Sequence, residues 1–230
     1  ANCKPNSFDW LKHIASNFTA NKEIVLGYAS VANKKGLLNK LMQYDHSIRA
    51  MNYLSLALLK KPYMGEGYNL AYKKSLFYKV GGIITHYHLS AGDDDMFINQ
   101  VANDKNTSVV LSPLSQMSFD TYRTYKDWIK SKKSNIISRK HFKLSHRLLL
   151  TILPSSTILF YLSIAAIFLI ALPWQYAVIA ILLKYILQIF VYYKAFKKLE
   201  IKKIYIFAPI LELYHMILNL TLEIKITLTK

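Results

Sequence analysis

The chain has 230 residues, a net charge of +17 and 53% hydrophobic residues. That apolar content excludes an intrinsically disordered chain. The single cysteine, Cys3, excludes an internal disulfide framework, and seven glycines with six prolines exclude a collagen-like or linker-like polymer. A chain both strongly basic and strongly apolar is a nucleic-acid binder or a membrane protein, and the distribution of its residues separates the two.

The first five residues read as the end of a strand and a turn. That predicts a preceding N-terminal half to supply the partner strands. Residues 7–17 predict a short helix with Ser7 as N-cap and Phe8, Leu11, Ile14 and Ala15 on one face. Residues 23–29 are apolar and β-branched, as in a strand. Residues 37–60 form a long amphipathic pattern, with Leu37, Leu38, Leu41, Tyr44, Ile48 and Met51 at helical spacing. A strand is expected over 69–72, a short helix over 73–80, a helix over 94–101 and a strand over 108–111. This alternation suggests an α/β layer within a soluble part, residues 1–147.

From 148 to 183 there are 36 positions without a charge, far more than the roughly 20 that span a bilayer core. Pro173 divides them, predicting two antiparallel membrane helices over 148–172 and 174–193. Lys184 and Gln188 share a face of the second, turned toward protein or snorkelling. A third apolar stretch covers 204–222. Its Glu212 and His215 are three apart and share a helical face, which leaves three readings: a membrane helix with a polar side, an interfacial helix, or a proton or ion site. Eight basic residues lie between Lys126 and Arg147 and five between Lys194 and Lys203, with none at the intervening turn. The positive-inside rule places both groups, and the soluble part joined to them, in the cytoplasm. Thirteen basic residues are thereby accounted for by topology and anionic lipid, which weakens the nucleic-acid reading. No nucleic-acid recognition motif is present.

Three stretches carry chemistry. Gly92, Asp93, Asp94 and Asp95 place adjacent carboxylates where each raises the others' pKa, as suits a general base or a divalent-cation site; a charged helix start is the plain alternative. Gly65, Glu66, Gly67, Tyr68 and Asn69 allow a tight turn or close ligand approach. His86 and His88 would share a strand face as a metal pair, but no third ligand stands at a readable spacing.

Taken in order, Ala-Asn-Cys-x-Pro-x-Ser-x-x-Trp-Leu, Gly-Glu-Gly-Tyr-Asn-Leu-Ala-Tyr, Lys-x-Ser-Leu-Phe, Gly-Gly and Gly-Asp-Asp-Asp-Met-Phe, followed by a basic segment and membrane helices, resemble bacterial membrane-anchored family 2 glycosyltransferases. The resemblance covers essentially the whole chain. It implies the C-terminal part of a Rossmann-like nucleotide-sugar domain (1–147) and a membrane domain (148–230). It further implies inverting transfer from a nucleotide-sugar donor to a lipid or glycan acceptor at the cytoplasmic membrane face, with Mg2+ or Mn2+ as cofactor. Asp94 would be the base, supported by Asp93 and Asp95. Gly65, Glu66, Gly67 and Asn69 would line the donor-sugar and acceptor site, and Trp10 and Leu11 would pack the helix after the metal loop. Two positions depart from the pattern. Asn2 stands where the family carries a metal-loop aspartate, and a neutral amide binds a hard dication less well. The family's Gln-x-x-Arg before Trp or His falls on 131–135, where the glutamine and arginine are both missing, and the alternative register 138–142 is no better. These departures favour the alternative, a degenerate non-catalytic membrane protein that keeps the fold. A small transporter has less behind it, because three helices with few polar residues form no obvious pathway.

Overall fold

The computed structural model describes residues 3–82, 93–170, 173–201 and 204–228. Most of the described chain is helical, with two small mixed sheets and three long apolar C-terminal helices. The strands are β1 (Cys3–Pro5), β2 (Ile24–Leu26), β3 (Ala29–Val31), β4 (Leu70–Tyr72), β5 (Thr107–Val109) and β6 (Met117–Phe119). The helices are α1 (Trp10–Ala15), α2 (Leu37–Leu58), α3 (Lys74–Lys79), α4 (Asp93–Val101), α5 (Tyr125–Arg139), α6 (Leu144–Leu169), α7 (Trp174–Lys198) and α8 (Ala208–Leu228).

β2 and β3 are two halves of one extended segment broken at Gly27 and Tyr28. β2 is central in the sheet β4-β2-β5, antiparallel to β4 and parallel to β5. β3 joins the other sheet, β1-β6-β3, parallel to β6, while β1 is antiparallel to β6. The strand expected at the chain's start thus has a partner within the chain. That partner, β6, lies in a stretch whose pattern predicted no strand. Ile24, Val25 and Leu26 are all buried, so β2 shows no alternation to solvent, as befits a central strand covered on both faces.

α2 forms as its periodicity predicts. It buries Leu41, Met42, Tyr44, Ala50, Tyr53 and Leu54, and joins two apolar clusters. One holds β2 with Tyr53, Phe97 and Ile98; the other holds Tyr44, Trp128 and Phe196. Three helices stop in the same way. After α2, α3 and α7, residues Lys60, Gly81 and Glu200 take positive φ (61°, 76° and 55°). The next amide then donates five residues back, Lys61 to Leu56, Gly82 to Phe77 and Ile201 to Phe196. Ser7 is not the cap of α1: the helix starts later, after Asp9, and Ser7 Oγ instead accepts from the Asp9 amide at 3.1 Å. α5, which no periodicity predicted, begins at a genuine cap: Thr124 Oγ1 accepts from the Asp127 amide and donates to its carboxylate.

α6, α7 and the segment Ile204–Leu228 are long and apolar enough to cross a membrane, with mean hydropathies of 2.0, 1.8 and 1.4. α6 buries no residue in protein, and Pro154 sits within its first three turns. The last turn of α7 and the start of the following segment return to the soluble helices, where Phe196, Ile204, Ala208 and Leu211 pack with Leu41, Tyr44 and Trp128.

Candidate functional site

α2 aligns His46 and Arg49, one turn apart, on a face covered by the segment that follows the helix. That segment carries Glu66 inward to 5% exposure. Arg49 Nη2 lies 2.6 Å from Glu66 Oε1, and His46 Nε2 lies 3.3 Å from Glu66 Oε2. His46 Nε2 is also 2.6 Å from the Ala29 carbonyl, which can only accept, so this nitrogen carries the proton. Neither Glu66 oxygen has a well-aligned hydrogen bond from the protein, so the buried carboxylate keeps acceptor capacity beside its charge partner.

The start of α4 adds Asp93, Asp94 and Asp95 in one turn, where the helix dipole favours negative charge. Asp94 is exposed, and its carboxylate fills the space that a side chain at Gly67 would occupy: a Cβ there would lie 1.9 Å from Asp94 Oδ2. Asp95 is half-buried on the side toward Arg49. Burial, reinforced by Glu66 and Asp94 against the pull of Arg49, pushes the Asp95 carboxyl up to about 7. Partial burial, then Asp93, raises Asp94. Burial opposes the Arg49 charge, yet Glu66, Asp95 and Asp45 around it hold its pKa above the ordinary value. Burial also lowers His46, keeping the imidazole neutral despite Glu66.

Asn69 sits below this cluster as a clip. Its Nδ2 donates to the Tyr28 carbonyl at 2.7 Å and the Ser115 carbonyl at 2.9 Å, and its Oδ1 accepts from Trp10 Nε1 at 3.1 Å. Both amide protons are therefore used in holding the break between β2 and β3 against the Gly67–Asn69 turn. Gly27 makes this possible, since a Cβ there would lie 2.4 Å from Asn69 Nδ2. Gly65 packs in the same way against Leu26 and Leu70. Trp10 reaches the site through this bond, whereas Leu11 is exposed.

Of the residues that the sequence singles out, Glu66, Gly67, Asp94 and Asp95 come together, while Asn69 and Gly65 support the turn beneath them. Asn2, Gly92, His86 and His88 lie outside the described residues. Arg49 and His46 are the additions. Their signal was a histidine and one of only four arginines in a lysine-rich chain, both on the core-facing side of α2. Arg139, from the 138–142 register, also contributes a positive field at Asp95. Lys132, from the other register, does not join them: it is buried on Asp45 at 2.6 Å. Burial alone would raise Asp45, but Lys132 holds it below the usual carboxylate value. No group of three or more metal-ligating side chains occurs among the described residues. The Asn2 position supplies a neutral amide where the resemblance has a carboxylate, a poorer donor to a hard dication.

Glu212 and His215, expected on one face, serve different neighbours. Glu212 pairs with Lys184 of α7, which also donates to Tyr161 of α6. His215 packs on Tyr44 and Trp128, with Asp45 at 3.5 Å. Gln188 donates to Tyr192 on its own helix. Comparison with protein-family models finds no match, and comparison with curated proteins finds none.

Proposed function

We propose that the chain is the acceptor-side part of an inverting glycosyltransferase of the membrane-anchored family 2 type, with a Rossmann-like nucleotide-sugar domain on the cytoplasmic side. The observation that carries this reading is the group formed by Asp94, Asp95 and Glu66 around Gly67 and Arg49. Asp94 is open to a ligand, abuts a glycine that leaves it room, and has its pKa raised by partial burial and then by Asp93, which makes it a stronger base. In the proposed reaction Asp94 takes the proton of an acceptor hydroxyl. The oxygen attacks the anomeric carbon from the face opposite the leaving group, the bond to the nucleoside diphosphate breaks, and the configuration inverts. Glu66, with acceptor capacity to spare, hydrogen-bonds a sugar or acceptor hydroxyl, and Arg49 holds it in place. The acceptor is a lipid or glycan presented at the membrane by the apolar helices. The Mg2+ or Mn2+ of the resemblance would need carboxylates other than the Asn2 position supplies.

The test is release of nucleoside diphosphate from a panel of nucleotide sugars by membranes containing the protein, with polyprenyl phosphate as acceptor. Release that is lost in Asp94→Asn supports the reading. Release unchanged in that variant removes Asp94 as base.

The second reading is a non-catalytic membrane protein that keeps the fold. The neutral Asn2 and the burial of Lys132 on Asp45, at one position where the family grips its diphosphate, favour it. Absence of nucleotide-sugar binding, read by calorimetry with the protein in detergent, would select it over the first.

A further inference from the structure

The segment Ile204–Leu228 has the length of a membrane span, yet its neighbours place it differently. About 22% of its apolar window is buried in protein, against 0% in α6 and 6% in α7. The buried side, Ala208, Leu211, His215 and Leu222, lies against soluble helices α2 and α5. Contact with α5 covers α8 from Tyr214 to Glu223. Tyr125 and Tyr214 hydroxyls are 2.9 Å apart, Trp128 meets His215 edge-on at 5.8 Å, and Arg139 lies 3.7 Å from Glu223. α5 exposes Lys126, Lys130 and Lys133. A helix held over that stretch by α5 can cross the hydrocarbon only by drawing those lysines in with it, and lysine at that depth is strongly disfavoured.

The ends of α8 give the same level. Its start follows the last turn of α7, and Glu223 reaches Arg139, five residues before α6 begins. Both points lie near the soluble-side ends of the α6–α7 hairpin. Glu212, in the second turn of α8, pairs with Lys184, whose ammonium lies beside the Phe160, Tyr161 and Tyr185 rings of the hairpin. The opposite face of α8 is an unbroken apolar stripe of Ile210, Leu213, Ile217, Leu220, Ile224 and Leu228, all exposed and spaced three and four apart.

We propose that α8 does not span but lies in the membrane interface, its apolar stripe in the acyl boundary of an anionic bilayer and the α5 lysines at the headgroups. The occupant is lipid because the stripe is continuous with the lipid-facing hairpin and is flanked by positive charge matching anionic headgroups. This holds whether or not the soluble part is catalytic.

The test uses the full chain with Cys3→Ser, in vesicles of phosphatidylcholine and phosphatidylglycerol. Nitroxide labels go at Ile210→Cys, Ile217→Cys and Ile224→Cys, and depth is read from oxygen against nickel-chelate accessibility. The expected result is three equal, shallow depths. A spanning helix would separate the first and last labels by roughly 21 Å along the bilayer normal and put the middle one deepest. That result overturns the proposal, as does full aqueous exposure of all three. A second, milder pair tests sidedness: Thr227→Cys and Lys34→Cys react with an impermeant maleimide from the same face if α8 is interfacial, and from opposite faces if it spans.

Discussion

At the scale of single residues, the site turns on where charge is tolerated. Gly67→Ala should leave the fold intact but push the Asp94 carboxylate aside, because the new Cβ occupies its position. If Asp94 is the base, Asp94→Asn should lower the transfer rate by about 10²–10⁴-fold, the usual worth of general-base catalysis, and Gly67→Ala by less. Diphosphate release measured on both variants checks this. Asp95 gives a pH signature. Its folded pKa of about 7 lies above the ordinary 3.8, so the folded state binds the extra proton more tightly. Stability from this group is present in full below the ordinary value and is lost as pH rises through the folded value. The loss is on the order of 2–4 kcal/mol, the lower figure allowing for its partial exposure. Asp95→Asn should flatten the decline between those limits in denaturant titrations. Arg49→Ala removes the charge facing Glu66 and Asp95. It should cost about 3 kcal/mol, with part of that recovered at low pH as the stranded carboxylates protonate.

At the scale of elements, the long helices were legible because their periodicity is long. α2 repeats its apolar face over six turns, and α6 and α7 are long and apolar enough to cross a membrane. Of the three-residue strands, β1, β2, β4 and β5 were legible, β2 most plainly because all three of its residues are buried. β6 alternates too briefly to signal a strand and is specified by its partners β1 and β3. α5 was hidden by its lysines, although its Thr124 and Asp127 cap was in plain sight. Element ends offer a test independent of function. Lys60 and Glu200 hold left-handed backbone at the close of α2 and α7, a conformation that costs a non-glycine residue about 1 kcal/mol. Either residue changed to Gly should stabilise the protein by about 0.5 kcal/mol, net of the entropy glycine loses on folding. A rise in thermal midpoint checks it.

At the scale of the whole molecule, the soluble part and the membrane helices share their cores. Leu199 packs in the cluster around β2, and Phe196, Ile204, Ala208 and Leu211 complete the one around Tyr44 and Trp128. Asn99 adds a polar tie: it donates to the Tyr63 carbonyl, accepts from the Lys143 amide and meets His146, linking α4 to the first turn of α6. Residues 1–147 expressed alone should therefore lack a cooperative unfolding transition, which calorimetry can check. Asn99→Ala in the full chain should cost about 1–3 kcal/mol by stranding buried backbone groups. Lys143 adds a second tie, its Nζ donating to the Gln100 carbonyl at the end of α4.

The sequence by itself determined the membrane hairpin, the long helix α2 and the identity of the acidic cluster, because apolar length, periodicity and local charge density are properties of neighbouring residues. Only the tertiary structure decided which charges matter. Arg49 and His46 read as ordinary helix residues until the chain from 61 to 69 folds Glu66 over them. Lys132 counted among thirteen topological charges until it was found buried on Asp45. The third apolar stretch had the hydropathy of a span, but hydropathy averages over the two faces of a helix. One face of α8 is occupied by protein, so its place depends on what α5 can bring with it, a long-range constraint that no local pattern encodes.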